Sequence, residues 1–183
     1  MGKIAKTAHG MNGYVYPFIL GENYYCIPTC IEMIISSMGY TIDTEALRTH
    51  FQIITSNDTN QDHELGVQLT DGDLDDLFST LHIPMHEQFI PINKIAEYQF
   101  EYLLKELLDS GAHILCGYSY GCLFGDDRLR DIGHASILLS IHNSFVQILN
   151  PGPKNAGINT VREDDLFAAI RYRHGGLWVL SPK

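Results

Sequence analysis

Three residues whose types belong together in thiol chemistry stand far apart in this 183-residue chain: Cys26, His134 and Asn150. Cys26 opens the run CIPTCIEMIISSMG, where Pro28 and the stripe Ile27, Ile31, Ile34, Ile35, Met38 predict a helix ending at Gly39. A cysteine in a helix's first turn meets unpaired N–H groups and the positive end of the dipole, which favour thiolate, the nucleophilic form. The sequence therefore predicts an exposed Cys26 that ionises at mildly acidic pH, with Cys30 one turn further in and buried. His134 and Asn150 bracket IGHASILLSIHNSFVQILNPGP, which reads as a hairpin turning near His142–Ser144. Nearly equidistant from that turn, they are expected almost opposite each other, roughly 5–6 Å apart. Pro151 then stops the strand. An imidazole beside a side-chain amide is a base with an orienting partner, which is what a thiol nucleophile requires.

Other patterns compete for the chemistry. Gly-Tyr-Ser-Tyr-Gly at 117–121 has the spacing of a serine nucleophile elbow, but that elbow must run straight into a helix. The following CLFGDDRLRDIG reads instead as a loop over the cleft, so Ser119 is disfavoured. Asp71, Asp73 and Asp75 start like a calcium loop, yet Asp76 replaces the glycine and His82 the final glutamate, so they are expected to cap a helix. Pro84 between His82 and His86 argues against a helical metal pair. Cys26, Cys30, Cys116 and Cys122 lack the tight knuckles of a zinc site and are not a disulfide framework.

The elements needed to position the three residues follow from apolar periodicity. Short helices are predicted over Thr44–Phe51, with Asp43 as cap, around Leu74–Leu81, from Phe100 to a stop at Gly111, and over Asp164–Tyr172. Strands are predicted over His113–Tyr118, Ala135–Ile141, Phe145–Leu149 and Leu177–Leu180, the last two separated by the final helix. Helices first and antiparallel strands later indicate an α+β domain with a helical half, a sheet half and a cleft between them. The length suits one domain over residues 1–183. With 45% apolar residues, 19% charged and a net charge of −10, nucleic acid and anionic membrane surfaces are poor partners. The sequence shows no membrane-length apolar run, no secretory signal, and Lys6 where a myristoylation pattern needs Ser or Thr. A cytoplasmic protein, or one exported without an N-terminal signal peptide, is expected.

Tyr-Cys-Ile-Pro-Thr-Cys-Ile-Glu-Met-Ile is similar to the D-C-G-x-A-x-L-x-M-I motif of the papain-like cysteine peptidases that trim double-glycine leaders from bacteriocins. Gly-His-Ala-Ser-Ile-Leu-Leu resembles that family's Gly-His before an apolar strand, and Leu-Asn-Pro its Asp-Pro sixteen residues later. GVQLTDGDLDDLFSTLHIPMHEQF resembles its segment in which a helix precedes a turn into a strand, so that the resemblance spans about residues 20–155. It implies a papain-like fold with Cys26 as nucleophile, His134 as base and Asn150 as third member. Leu20 stands where the family has the oxyanion-hole Gln, and Tyr25 and Ile27 replace the Asp and Gly that flank the cysteine. Asn23 is the candidate for the missing amide. The expected function is hydrolysis of a peptide bond through a thioester, without cofactor or metal, on a peptide or protein substrate of neutral or basic charge. An acyltransferase or transpeptidase on the same triad and a catalytically silent peptide-binding relative are the alternatives.

Overall fold

The computed structural model describes residues 6–42, 44–51, 67 and 69–183. Two three-residue strands come first, β1 (Thr7–His9) and β2 (Val15–Pro17), paired antiparallel. Helix α1 (Cys26–Ser37) buries Cys30, Ile31, Met33, Ile34 and Ile35, while Ile27 of the predicted stripe is half-buried and Met38 is already the C-cap. Gly39, at φ 85°, takes the left-handed conformation that ends the helix, its N–H donating to Ser36 O at 3.0 Å. Helix α2 (Thr44–Phe51) forms as expected, and its proposed cap Asp43 lies outside the described residues.

Helix α3 (Asp73–Thr80) leads into strand β3 (Met85–Pro91). Its capping corrects the sequence reading. Asp73 Oδ2 accepts from Thr70 N–H at 2.7 Å and Asp75 Oδ1 accepts from Glu87 N–H at 2.8 Å, so neither caps the helix. The buried Glu87, reaching across from β3, accepts from Leu74 N–H at 2.8 Å and closes the helix start instead. Helix α4 (Phe100–Asp109), strand β4 (His113–Ser119), helix α5 (Tyr120–Phe124), strands β5 (Gly133–His142), β6 (Phe145–Asn150) and β7 (Gly157–Arg162), helix α6 (Glu163–Tyr172) and strand β8 (Gly176–Pro182) complete the chain.

Strands β3 to β8 form one antiparallel sheet in the order β3-β8-β4-β5-β6-β7. Residues along β4 and β5 alternate between two cores. Leu115, Ile137 and Leu139 meet α1, α3 and the β1–β2 hairpin, whereas Ile114, Cys116 and Leu138 meet α4 and α6. Burial on both faces explains why these strands read as continuous apolar runs in the sequence. The final strand slots between β3 and β4, so the chain terminus is tied into the sheet interior.

The small hairpin is fastened by a buried polar network. Tyr16 hydroxyl lies 2.8 Å from His113 Nδ1, Asn12 Nδ2 donates to that hydroxyl at 2.7 Å and to Ala112 O at 2.9 Å, and the Tyr14 ring lies on the imidazole at 4.1 Å. Burial pushes His113 down from 6.5 to about 4. A depressed imidazole contributes stability that is present above the unfolded-state value and is lost as pH falls from 6.5 through about 4. The shift corresponds to about 3 kcal/mol. Urea unfolding between pH 7 and 4.5 should show this loss, and His113→Gln, which keeps a polar partner for Tyr16 but does not titrate, should flatten it. An unchanged slope in the variant contradicts the assignment.

Candidate active site

The approach to α1 is a tight turn. Tyr25 N–H donates to Glu22 O at 3.3 Å, and Tyr24 adopts a left-handed φ of 72° that swings the chain into the helix. Tyr25 is the N-cap residue, with Thr29 N–H donating to its carbonyl at 2.9 Å, so Cys26 is the first helical residue. Just upstream, Gly21 N–H donates to Pro151 O at 2.8 Å, which ties this entrance to the end of β6. A Cβ there would stand 2.9 Å from Thr29 Oγ1, so a larger residue would force Thr29 to shift.

His134 and Asn150 sit on β5 and β6, joined by a two-residue turn in which Asn143 and Ser144 both have positive φ (50° and 64°). With that turn alone, His142 pairs with Phe145 and continued pairing would set Asn150 opposite Ile137, on the face away from His134. A bulge between Leu138 and Ser140 shifts the register by one, so that Ile137 pairs with Leu149 and Asn150 falls across from Ser136. His134 is then two residues along on the same face. It is diagonal to Asn150, not opposite as the sequence reading expected, because the turn at Asn143–Ser144 lies nearer in sequence to Asn150 than to His134, and the bulge cuts the offset from three residues to two.

The side chains meet across that diagonal. Asn150 is fully buried (0% exposed), and its Oδ1 lies 2.8 Å from His134 Nε2. Gly152 N–H also donates to Oδ1, at 2.8 Å, and Nδ2 donates to Lys154 O at 3.1 Å, which fixes the amide's orientation. An oxygen facing Nε2 requires that Nε2 carry the proton. Nδ1 is left with its lone pair. Two rings hold the imidazole edge-on, Tyr118 at 5.7 Å and Tyr120 at 5.4 Å between centroids. Tyr118 is pinned through Ser136 Oγ at 2.8 Å and Tyr120 through Asn155 Nδ2 at 2.8 Å. The sequence reading missed both tyrosines, although Gly-Tyr-Ser-Tyr-Gly had drawn attention to the segment for its serine.

Cys26 and His134 line one cleft of about 720 Å³, together with Asn23, Tyr118, Tyr120 and Trp178. Cys26 is half-buried rather than exposed. Burial pushes its thiol up, while the backbone N–H groups of Ala135, Ile27 and Cys26 itself pull the other way. Ala135 directly follows His134, so the thiol sits against the start of β5. Burial likewise pulls His134 down, opposed by its bond to Asn150. Both directions favour a neutral thiol beside a neutral imidazole. These directions run against the expected thiolate at mildly acidic pH, since solvent removal opposes the helix-end amides.

The remaining candidates fall elsewhere. Leu20 is 59% exposed and packs towards Gly152, whereas Asn23 lines the cleft beside Cys26. Strand β4 does run straight into helix α5 after Ser119, against the sequence expectation of a loop. Ser119 is nevertheless buried, donating to Arg130 O and accepting from Cys122 N–H at 3.2 Å, so its hydroxyl serves as that helix's cap. Cys30 and Cys116 are buried thiols facing the carbonyls of Ala135 and Ser136. His86 pairs with Asp75 at 3.1 Å. Among the described residues no cluster of three or more His, Cys, Asp or Glu side chains could hold a metal ion, and no helix is long and apolar enough to cross a membrane.

No family model matches the sequence, and no curated protein matches it. Solved structures do share the fold. The peptidase domain of Streptococcus ComA, a bifunctional ABC transporter of a quorum-sensing pathway, superposes with a TM-score of 0.57 at 15% identity, covering 92% of this chain and 99% of that one. A double-glycine-motif protease from an AMS/PCAT transporter, solved with its leader peptide, gives 0.58 at 12% identity, covering 92% of each chain. A protein from Bacillus anthracis named as C39-like peptidase gives 0.64 at 15% identity, covering 98% of this chain and 99% of that one. The chain therefore has the α+β fold of these peptidase domains.

The neutral pair has a direct test. Alkylation with iodoacetamide followed by peptide mapping should label Cys26 before Cys30 and Cys116, with a rate that climbs as pH rises through neutrality and beyond. A rate already at its plateau below pH 6 would instead reveal a thiolate–imidazolium pair.

Proposed function

We propose that the chain is a single-domain cysteine peptidase, with Cys26 as nucleophile, His134 as general base and acid, and Asn150 as the group that orients the imidazole. The observation that carries this reading is the 2.8 Å contact between His134 Nε2 and Asn150 Oδ1 in a cleft that Cys26 also lines. The fold shared with double-glycine peptidase domains supports it.

The bond chemistry follows from the tautomer. As a peptide carbonyl approaches, Cys26 Sγ forms the C–S bond and its proton passes to the free lone pair of His134 Nδ1. Asn150 accepts from Nε2–H throughout, so the imidazolium forms without turning. The charge developing on the carbonyl oxygen needs donors. The helix-mouth N–H of Cys26 is one, and the side-chain amide of Asn23 is the cleft-lining candidate for the other, in place of the absent Gln at Leu20. The tetrahedral species then breaks its C–N bond as His134 returns the proton to the leaving amine, giving a thioester. Water, deprotonated by His134, attacks that thioester and releases the acid and the thiol.

Cys26→Ala and His134→Ala should each reduce peptide cleavage to background while thermal unfolding stays close to wild type. Asn23→Ala should lower kcat by ~10²–10³ with KM little changed, as for loss of one oxyanion donor. Asn150→Asp should not be a neutral exchange here, because a carboxylate removes the donor to Lys154 O and sets an oxygen against that carbonyl. Full turnover in the Cys26 or His134 variant contradicts the assignment. Product transferred to an added amine, in preference to water, would make the enzyme an acyltransferase instead.

A further inference from the structure

Around the imidazole, two loops from different parts of the chain meet at one hydrogen bond. Asn155 Nδ2 donates to the Tyr120 hydroxyl at 2.8 Å, joining the start of α5 to the turn between β6 and β7. The phenol is held in place by its neighbours. Its ring lies edge-on to His134 at 5.4 Å and packs on Phe124 at 4.7 Å, and Tyr120 N–H donates to Ile132 O at 2.9 Å. Asn155 is fixed as well, at a left-handed φ of 50°, with its carbonyl accepting from Asn159 Nδ2 at 2.7 Å. Asp126, just past α5, lies near enough to Lys154 for the two charges to interact, so the loops face each other over more than one residue.

That bond closes a circuit. Asn155 directly follows Lys154, whose carbonyl accepts from Asn150 Nδ2 at 3.1 Å. Asn150 Oδ1 lies 2.8 Å from His134 Nε2, the imidazole meets the Tyr120 ring, and the Tyr120 hydroxyl returns to Asn155. Asn150 and Tyr120 are buried, but Lys154 and Asn155 are exposed. A turn in water moves unless it is tied down. The bond from Asn155 ties this one to the residue that also flanks the imidazole. We propose that Tyr120 and Asn155 are a positioning pair, whose hydrogen bond holds the Lys154 carbonyl on Asn150 and so keeps the Asn150 oxygen on His134 Nε2. Neither side chain takes part in bond breaking. The pair deepens the peptidase reading, and its effect on turnover rests on that reading.

Two variants remove the bond from opposite ends. Tyr120→Phe deletes the hydroxyl and keeps the ring beside His134, and Asn155→Gly deletes the amide and keeps the left-handed backbone. Each should lower kcat about fivefold, the worth of one ordinary hydrogen bond, with KM and thermal unfolding close to wild type. The double variant should lose no more than either single one, because both remove the same bond. Asn155→Asp, whose carboxylate accepts from the phenol O–H instead, should recover most of the loss. A second readout needs no substrate. Exchange of the His134 Nε2 proton with water, followed by NMR, should quicken at least about fivefold in both single variants and stay slow in Asn155→Asp. Losses that add in the double variant overturn the pair, as does an Nε2 proton whose exchange is unchanged. A wild-type protein that cleaves no peptide would defeat the peptidase reading, while the exchange measurement would still decide the pair.

Discussion

One hydrogen bond organises the candidate site: the contact between His134 Nε2 and the buried oxygen of Asn150. A side-chain amide buried without partners would be costly, and this one makes three bonds, its oxygen with Gly152 N–H and the imidazole and its nitrogen with Lys154 O. Those partners leave one orientation for the amide and one tautomer for the ring. The bulge in β5 exists at the position where it changes the parity of pairing, so the fold's irregularity and the site's geometry are the same feature. Pro151 and the turn after it belong to this arrangement, since they bring Gly152 N–H back onto Asn150 Oδ1.

The second requirement is that helix and sheet be held at a fixed distance. Gly21 N–H on Pro151 O couples the loop before α1 directly to the residue after Asn150. Cys30 Sγ faces Ala135 O at 3.7 Å, one turn behind Cys26 and one residue past His134. Cys26 and His134 are therefore positioned from two sides, by a loop contact and by core packing. The same enclosure removes solvent from both groups, and that favours their neutral forms over the charged ones.

How much of this was legible in the chain depends on the range of the interaction. Helix α1, the β5–β6 hairpin and their turn were readable because apolar periodicity, Pro28 and the Asn-Ser turn are local. That Cys26 opens α1 and that His134 comes near Asn150 was readable from their placement at element ends. Strands β1 and β2 escaped because three residues carry no periodic pattern, and β7 because an edge strand reading Gly-Ile-Asn-Thr-Val-Arg looks like a loop. Helix α5 escaped because glycines and aspartates follow it closely, and its cap, Ser119, was weighed as a nucleophile. The bulge, the burial of Cys26 and the tyrosine walls around His134 arise only from three-dimensional packing. Glu87 capping α3 from another element is of the same kind.

Burial favours a neutral His134, and the contact with Asn150 Oδ1 holds its proton on Nε2, which leaves Nδ1 as the nitrogen free to interact with Cys26. Long-range ¹H–¹⁵N correlation spectra of the imidazole measure this directly. At pH 7 the account predicts an Nε2–H tautomer whose Nδ1 resonance shifts when Cys26 is blocked by a small disulfide reagent, with Nε2 almost unmoved. An Nδ1–H tautomer, a permanent imidazolium at that pH, or an Nδ1 indifferent to the state of Cys26 would contradict it.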